Sequence, residues 1–187
     1  VGVVGRAPFG LGVLGVQSND PVLSLLGALG LAQAAGTALV IDLCRDLRTP
    51  TGRTLADIAA DGPSLDELSP GRAGVALISS GPLQPSECEA VIEALAPTWP
   101  AVVVRCTPEQ WVGPTVPIRA LLPGLLQAAD QSPAVWQPVA ARLRPPGPGP
   151  VLPRIRSSLA RRMIAGRAVP GARWVRAWAP VWSMPWA

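Results

Sequence analysis

The sequence predicts an α/β domain, a mainly parallel sheet flanked by helices, and three observations carry that prediction. Short apolar runs alternate with longer helical stretches along residues 11–126. The runs are apolar on both faces, as strands covered by helices on each side require. Turn and capping residues separate the two kinds of segment where each change of period occurs. In a chain of 187 residues, 49% hydrophobic and only 15% charged, there is room for one such core and a tail.

Leu11 to Gln17 reads as the first buried strand. Ser18-Asn-Asp-Pro21 then supplies capping oxygens and a proline suited to a first helical turn. Val22 to Ala35 is apolar on nearly every face, as a helix packed within layers would be, and Gly36 closes it. Thr37 to Leu43 is a second strand, completing a βαβ unit in 33 residues. A helix from Thr54 to Ala60, a strand from Gly74 to Ser79, a helix capped by Ser86 and running to Leu95, and a strand from Ala101 to Arg105 follow. Val102 to Val104 is expected at the buried centre of the sheet, and Ile118 to Ala129 holds a further strand end or helix around Pro123. These elements define a domain over residues 1–143. Residues 144–153, centred on Arg-Pro-Pro-Gly-Pro-Gly-Pro, read as a linker poor in hydrogen-bond donors. Residues 154–187 form a basic, tryptophan-rich tail, with a helix expected within Pro153 to Ala165.

Absences narrow the chemistry. All 16 basic residues are arginine and there is no histidine, so no imidazole base, no lysine Schiff base and no phosphate-loop ammonium exist. Cys44, Cys88 and Cys106 are far apart and form no C-x-x-C pair, which fits buried structural thiols in a reducing, cytoplasmic setting rather than a metal site. Ser79-Ser80-Gly81 follows a strand but has no base to activate it. No catalytic residue, metal ligand or cofactor is therefore expected. No uninterrupted apolar stretch of membrane-spanning length and no leader pattern occurs, and the opening Val1 fits an alternative start or a fragment equally.

Several segments, taken in order, resemble the ParA/MinD-type P-loop ATPases, including the pilus-associated CpaE/TadZ branch. The strand Leu11 to Val16, the helix Val22 to Ala35 and the strand Ala38-Leu-Val-Ile-Asp42 are similar to that family's nucleotide-binding half. Thr54-Leu-Ala-Asp-Ile58, Ala76-Leu-Ile-Ser-Ser-Gly81 and Trp99-Pro-Ala-Val-Val-Val-Arg-Cys-Thr-Pro108 resemble segments that follow it. The resemblance implies a degenerate nucleotide site at Ser18, Asn19, Asp20 and Asp42. It also shows what is missing. Gly15-Val-Gln-Ser-Asn-Asp-Pro21 has neither the glycine pair nor the lysine of a phosphate loop, Asp20 adds negative charge there, and Arg105 stands where a metal-associated aspartate would be. Arg6 to Gly12 is an alternative glycine-bearing loop without lysine. Asp42 either holds a water or metal or, the reading favoured without a lysine, caps a loop or pairs with a neighbour such as Arg45. The expectation is a non-hydrolysing localisation or assembly factor for a pilus, secretion or division apparatus. The alternatives are a nucleotide-binding ATPase with an atypical loop and a structural subunit.

Charge is unevenly divided. Residues 1–130 carry 12 acids and 7 arginines, a net −5, whereas residues 131–187 carry 9 arginines and no acid. The tail residues Arg161, Arg162, Arg173, Trp174, Arg176, Trp178, Trp182 and Trp186 are the candidate interaction surface. Three readings compete: the tryptophans cover a bare face of the domain, they bind an anionic membrane surface at its inner face, or they dock on a protein partner or a second copy. Nucleic acid is disfavoured by the acidic body. Pro180 and Pro185 place Trp182 and Trp186 on a turned or extended end.

Overall fold

The computed structural model describes residues 12–44, 52–64, 74–122, 132–140 and 143–187. It contains a six-stranded, all-parallel sheet, β1 (Val13–Gln17), β2 (Ala38–Asp42), β3 (Val75–Ser79), β4 (Val102–Arg105), β5 (Thr115–Leu121) and β6 (Val135–Pro138), in the order β3-β2-β4-β1-β5-β6. The expected fold class is the observed one. Every residue of β2 and β4 is buried, because helices cover both faces and both strands have neighbours on either side. The period-2 alternation sorts the side chains of β1, β2 and β4. Leu14, Val16, Val40 and Val103 face one side, and Val13, Leu39, Ile41, Val102 and Val104 face the other.

The second side is covered by helices α2 (Leu55–Asp61) and α3 (Pro85–Leu95), which contribute Leu55, Ile58, Cys88, Ile92 and Leu95 to its core. Thr54 and Asp57 form a reciprocal capping box at the start of α2. Helix α3 begins two residues earlier than the sequence indicated. Gln84 rather than Ser86 is its cap, with Pro85 in the first helical position and Glu87 reaching back to the Gln84 amide at 2.8 Å. Strand β5 also starts before Ile118 and changes partner along its length. Thr115 to Pro117 pair with β1, and Ile118 to Leu121 pair with β6. Residues 123–131, Arg45 and the Arg6 to Leu11 part of the alternative loop lie outside the described residues.

On the first side lies α1 (Pro21–Ala35), ten of whose residues are buried, Leu23, Leu26, Leu29 and Leu31 among them. A helix apolar all round needs cover on both sides, and here the sheet supplies one and the tail the other. Helix α4 (Ser157–Ile164), the short helix α5 (Arg173–Arg176) and a 3₁₀ turn (Ala179–Ser183) place Met163, Trp174, Val175, Trp178 and Val181 in the same hydrophobic cluster as α1. The boundary read at residues 144–153 therefore does not divide the packing. Those residues line the edge of the sheet: Pro148 and Pro150 accept hydrogen bonds from the amides of Ala134 and Trp136 at 3.1 and 2.9 Å, and the Leu152 amide donates to Trp136 at 2.9 Å. Proline lacks a donor but keeps its carbonyl, so a proline-rich segment suits an edge.

Candidate functional site

The carboxyl ends of β1, β2 and β4 meet the start of α1, and this is where the sequence places Ser18, Asn19, Asp20 and Asp42. The parallel register sets Asp42 on β2 directly beside Arg105 on β4. Both side chains are fully buried. The Arg105 guanidinium donates from Nη1 to both Asp42 oxygens at 3.2 Å, from Nε to the Ser24 hydroxyl at 2.7 Å, and from Nη2 to the Pro21 carbonyl at 2.9 Å. Asp42 Oδ1 also accepts from the Cys44 amide at 3.0 Å. Removing two charges from water costs several kcal/mol per ion, and this geometry offsets it with charge-assisted hydrogen bonds on both partners. Asp42 is thus paired with an arginine distant in sequence, where the sequence suggested a near neighbour.

The start of α1 is closed by its own residues. An uncapped helix presents free amides that attract anions. Here Pro21 has no N–H, the amides of Val22 and Leu23 donate to Asp20 Oδ1 at 2.8 and 3.0 Å, and the Ser24 amide donates to the Asp20 carbonyl at 2.9 Å. The Asp20 carboxylate occupies the position at which a phosphate oxygen would sit against a helix N-terminus. A cation, Arg105, fills the ground between that first turn and Asp42.

Beside this plugged corner opens a cavity of about 860 Å³, lined by Gln17 to Asp20, Cys106 to Glu109 and Pro117 to Ala120. It sits where β1 leads towards β2 on one side and β5 leads towards β6 on the other. Such a reversal leaves a crevice at the carboxyl ends of a parallel sheet. The structure therefore brings Ser18, Asn19 and Asp20 together on the cavity, while Asp42 is in the buried pair instead. The Cys106 thiol is buried and pushed up to about 12, first by loss of solvent, which keeps it protonated; the Gln17 amide donates to its sulfur at 3.8 Å. Cys88 is buried as expected, whereas Cys44 is half-buried. Among the described residues no group of three or more His, Cys, Asp and Glu side chains comes together as a metal site. No helix among them is long and apolar enough to cross a membrane.

The tail tryptophans point inward. Trp174 and Trp178 are buried with ring centroids 5.5 Å apart in an edge-to-face pair, and Trp174 Nε1 donates to Gln137 Oε1 at 2.7 Å. Trp182 and Trp186 are half-buried and donate to the carbonyls of Leu31 and Val181 at 3.1 and 2.7 Å. Trp174 and Trp178 thus belong to the core, while Trp182 and Trp186 pack against it and keep part of their surface exposed. Arg161, Arg162, Arg173 and Arg176 are exposed. Ser24 and Gln137 escaped the sequence reading, because a single polar residue in an apolar segment does not reveal its partner. Gly27 and Gly30 escaped it too. Their spacing on α1 was the available signal, since a side chain at Gly30 would run into Trp174 and Trp178. Comparison with family models, curated proteins and solved structures finds no match.

Proposed function

We propose that this chain is a non-hydrolysing protein of the ParA/MinD type, acting as a localisation or assembly factor within a larger apparatus. The observation that carries the reading is the Arg105–Asp42 pair set against the first turn of α1. Phosphoryl transfer needs free amides, a cation and a bound metal converging on the transferred group. In this chain the amides are engaged by Asp20 and the arginine is engaged by Asp42 and Ser24. The resemblance supplies the process: a pilus, secretion or division apparatus, with a protein partner or the inner face of a membrane as the place of action. Purified protein with magnesium and ATP or GTP is expected to show no turnover above buffer. Turnover proportional to protein concentration, and lost in an Asp42→Asn variant shown by its melt to be folded, would overturn the reading.

One observation favours a second reading, in which a ligand still binds without being hydrolysed. The cavity of about 860 Å³ beside the plugged corner retains Ser18, Asn19 and Asp20 on its wall, and clefts of this size at the carboxyl edge of a parallel sheet are common ligand sites. Calorimetric titration with ATP, GTP and their diphosphates separates the two. Saturable heat that Asn19→Ala diminishes supports the ligand-binding reading, and its absence supports the first.

A further inference from the structure

A second recess lies in the tail layer and shares no residue with the sheet-edge cavity. It encloses about 650 Å³ and is walled by Arg154 and Arg156 before α4, Arg162 on α4 and Arg173 at the start of α5, with Leu159 and Trp174 among its apolar lining. All four arginines are exposed, and none of them forms an ion pair among the described residues. Residues 131–187 contain no acid that could neutralise them locally. Four like charges around one concavity repel one another and raise the positive potential inside it. Such an arrangement is stabilised when an anion of matching charge enters. The first turn of α4 adds to the same field: it has no acidic residue, and its cap position is Arg156, whose side chain makes no capping bond.

We propose that this recess binds a polyanion carrying clustered phosphate groups. Guanidinium forks match phosphate oxygens two at a time, and several forks converging on one recess select for more than one phosphate. The concave shape argues for an anion that enters, since an extended flat surface would leave the recess unfilled. The tryptophan on its wall, Trp174, is buried, so the recess recognises charge rather than offering an exposed aromatic anchor for insertion. Clustered phosphates occur on a soluble oligophosphate or on a lipid headgroup, and the experiment distinguishes the two. The inference does not depend on the reading of the Arg105–Asp42 corner.

The test uses the full chain, titrated with tripolyphosphate by calorimetry. A parallel arm measures co-sedimentation with phosphatidylcholine vesicles, with and without a phosphoinositide bearing several phosphates. Saturable binding of tripolyphosphate is expected, with sodium sulfate at equal ionic strength failing to reproduce it. Arg156→Glu and Arg173→Glu, both at exposed positions, should each weaken binding at least about tenfold. Arg167→Glu, exposed but outside the recess, should change it less than about threefold. Vesicle binding that needs the phosphoinositide and fails in the recess variants assigns the headgroup as a source. Tripolyphosphate binding without vesicle binding assigns a soluble anion. Absence of binding in both arms, or equal losses in Arg167→Glu and the recess variants, overturns the proposal.

Discussion

Arg105 and Asp42 illustrate how one pair of residues can decide what a site does. Each is costly alone in a dry interior, and together with Ser24 and the Pro21 carbonyl they are satisfied. Their worth is best measured by contrast. Asp42→Ala leaves a buried guanidinium without its counter-charge and should destabilise the protein by about 3–5 kcal/mol. The double variant Asp42→Leu with Arg105→Met removes both charges and should recover most of that loss in urea unfolding. Equal destabilisation by the single and double variants would mean that packing, rather than charge pairing, holds the corner.

At the scale of elements, α1 is the hinge of the design, because it touches both the sheet and the tail. Its glycines permit close approach: a Cβ at Gly27 would meet Ile118 and Trp178, and one at Gly30 would meet both Trp174 and Trp178. Propensity and packing therefore make opposite forecasts for Gly30→Ala. Helix propensity alone favours alanine by about 1 kcal/mol. Overpacking against two rings with no free space costs about 1–3 kcal/mol. Gly30→Ala is expected to lower the melting temperature and to raise the solvent exposure of tryptophan fluorescence. A higher melting temperature would show that the tail is held loosely enough to move aside.

At the scale of the molecule, the described residues stack in four layers: α2 with α3, the sheet, α1, and the tail. Its charge follows the stack, since α2 and α3 carry Asp57, Asp61, Glu87, Glu89 and Glu93 while the tail carries only arginine. Deleting residues 151–187 strips α1 of its outer cover. Burying one tryptophan of about 200 Å² at about 25 cal/mol per Å² is worth roughly 5 kcal/mol before entropy. Trp174 and Trp178 are both fully buried. Losing the two rivals the entire stability of a domain, about 5–15 kcal/mol. The truncated chain is expected to aggregate or to melt far below the full chain, and an unchanged melt would show that the tail docks without supporting the fold.

The sequence by itself determined the alternation of strands and helices, and with it the parallel sheet. Those signals are local: an apolar run such as Val102 to Val104, the capping oxygens of Ser18 to Asp20, a glycine at the end of α1. It also showed that α1 must be covered all round, without saying by what. Strand β6 went unread because four residues beside prolines carry too little pattern. Only the tertiary structure decided where the tail goes and which arginine Asp42 meets. Arg105 is 63 residues from Asp42 and Trp178 is far from Gly30 along the chain, so neither contact leaves a local trace. Arginines and tryptophans interleaved in one segment suit a surface anchor and an internal cover equally well. The choice between them rests on an apolar helix face and two glycines more than a hundred residues upstream, which only the folded chain brings within reach.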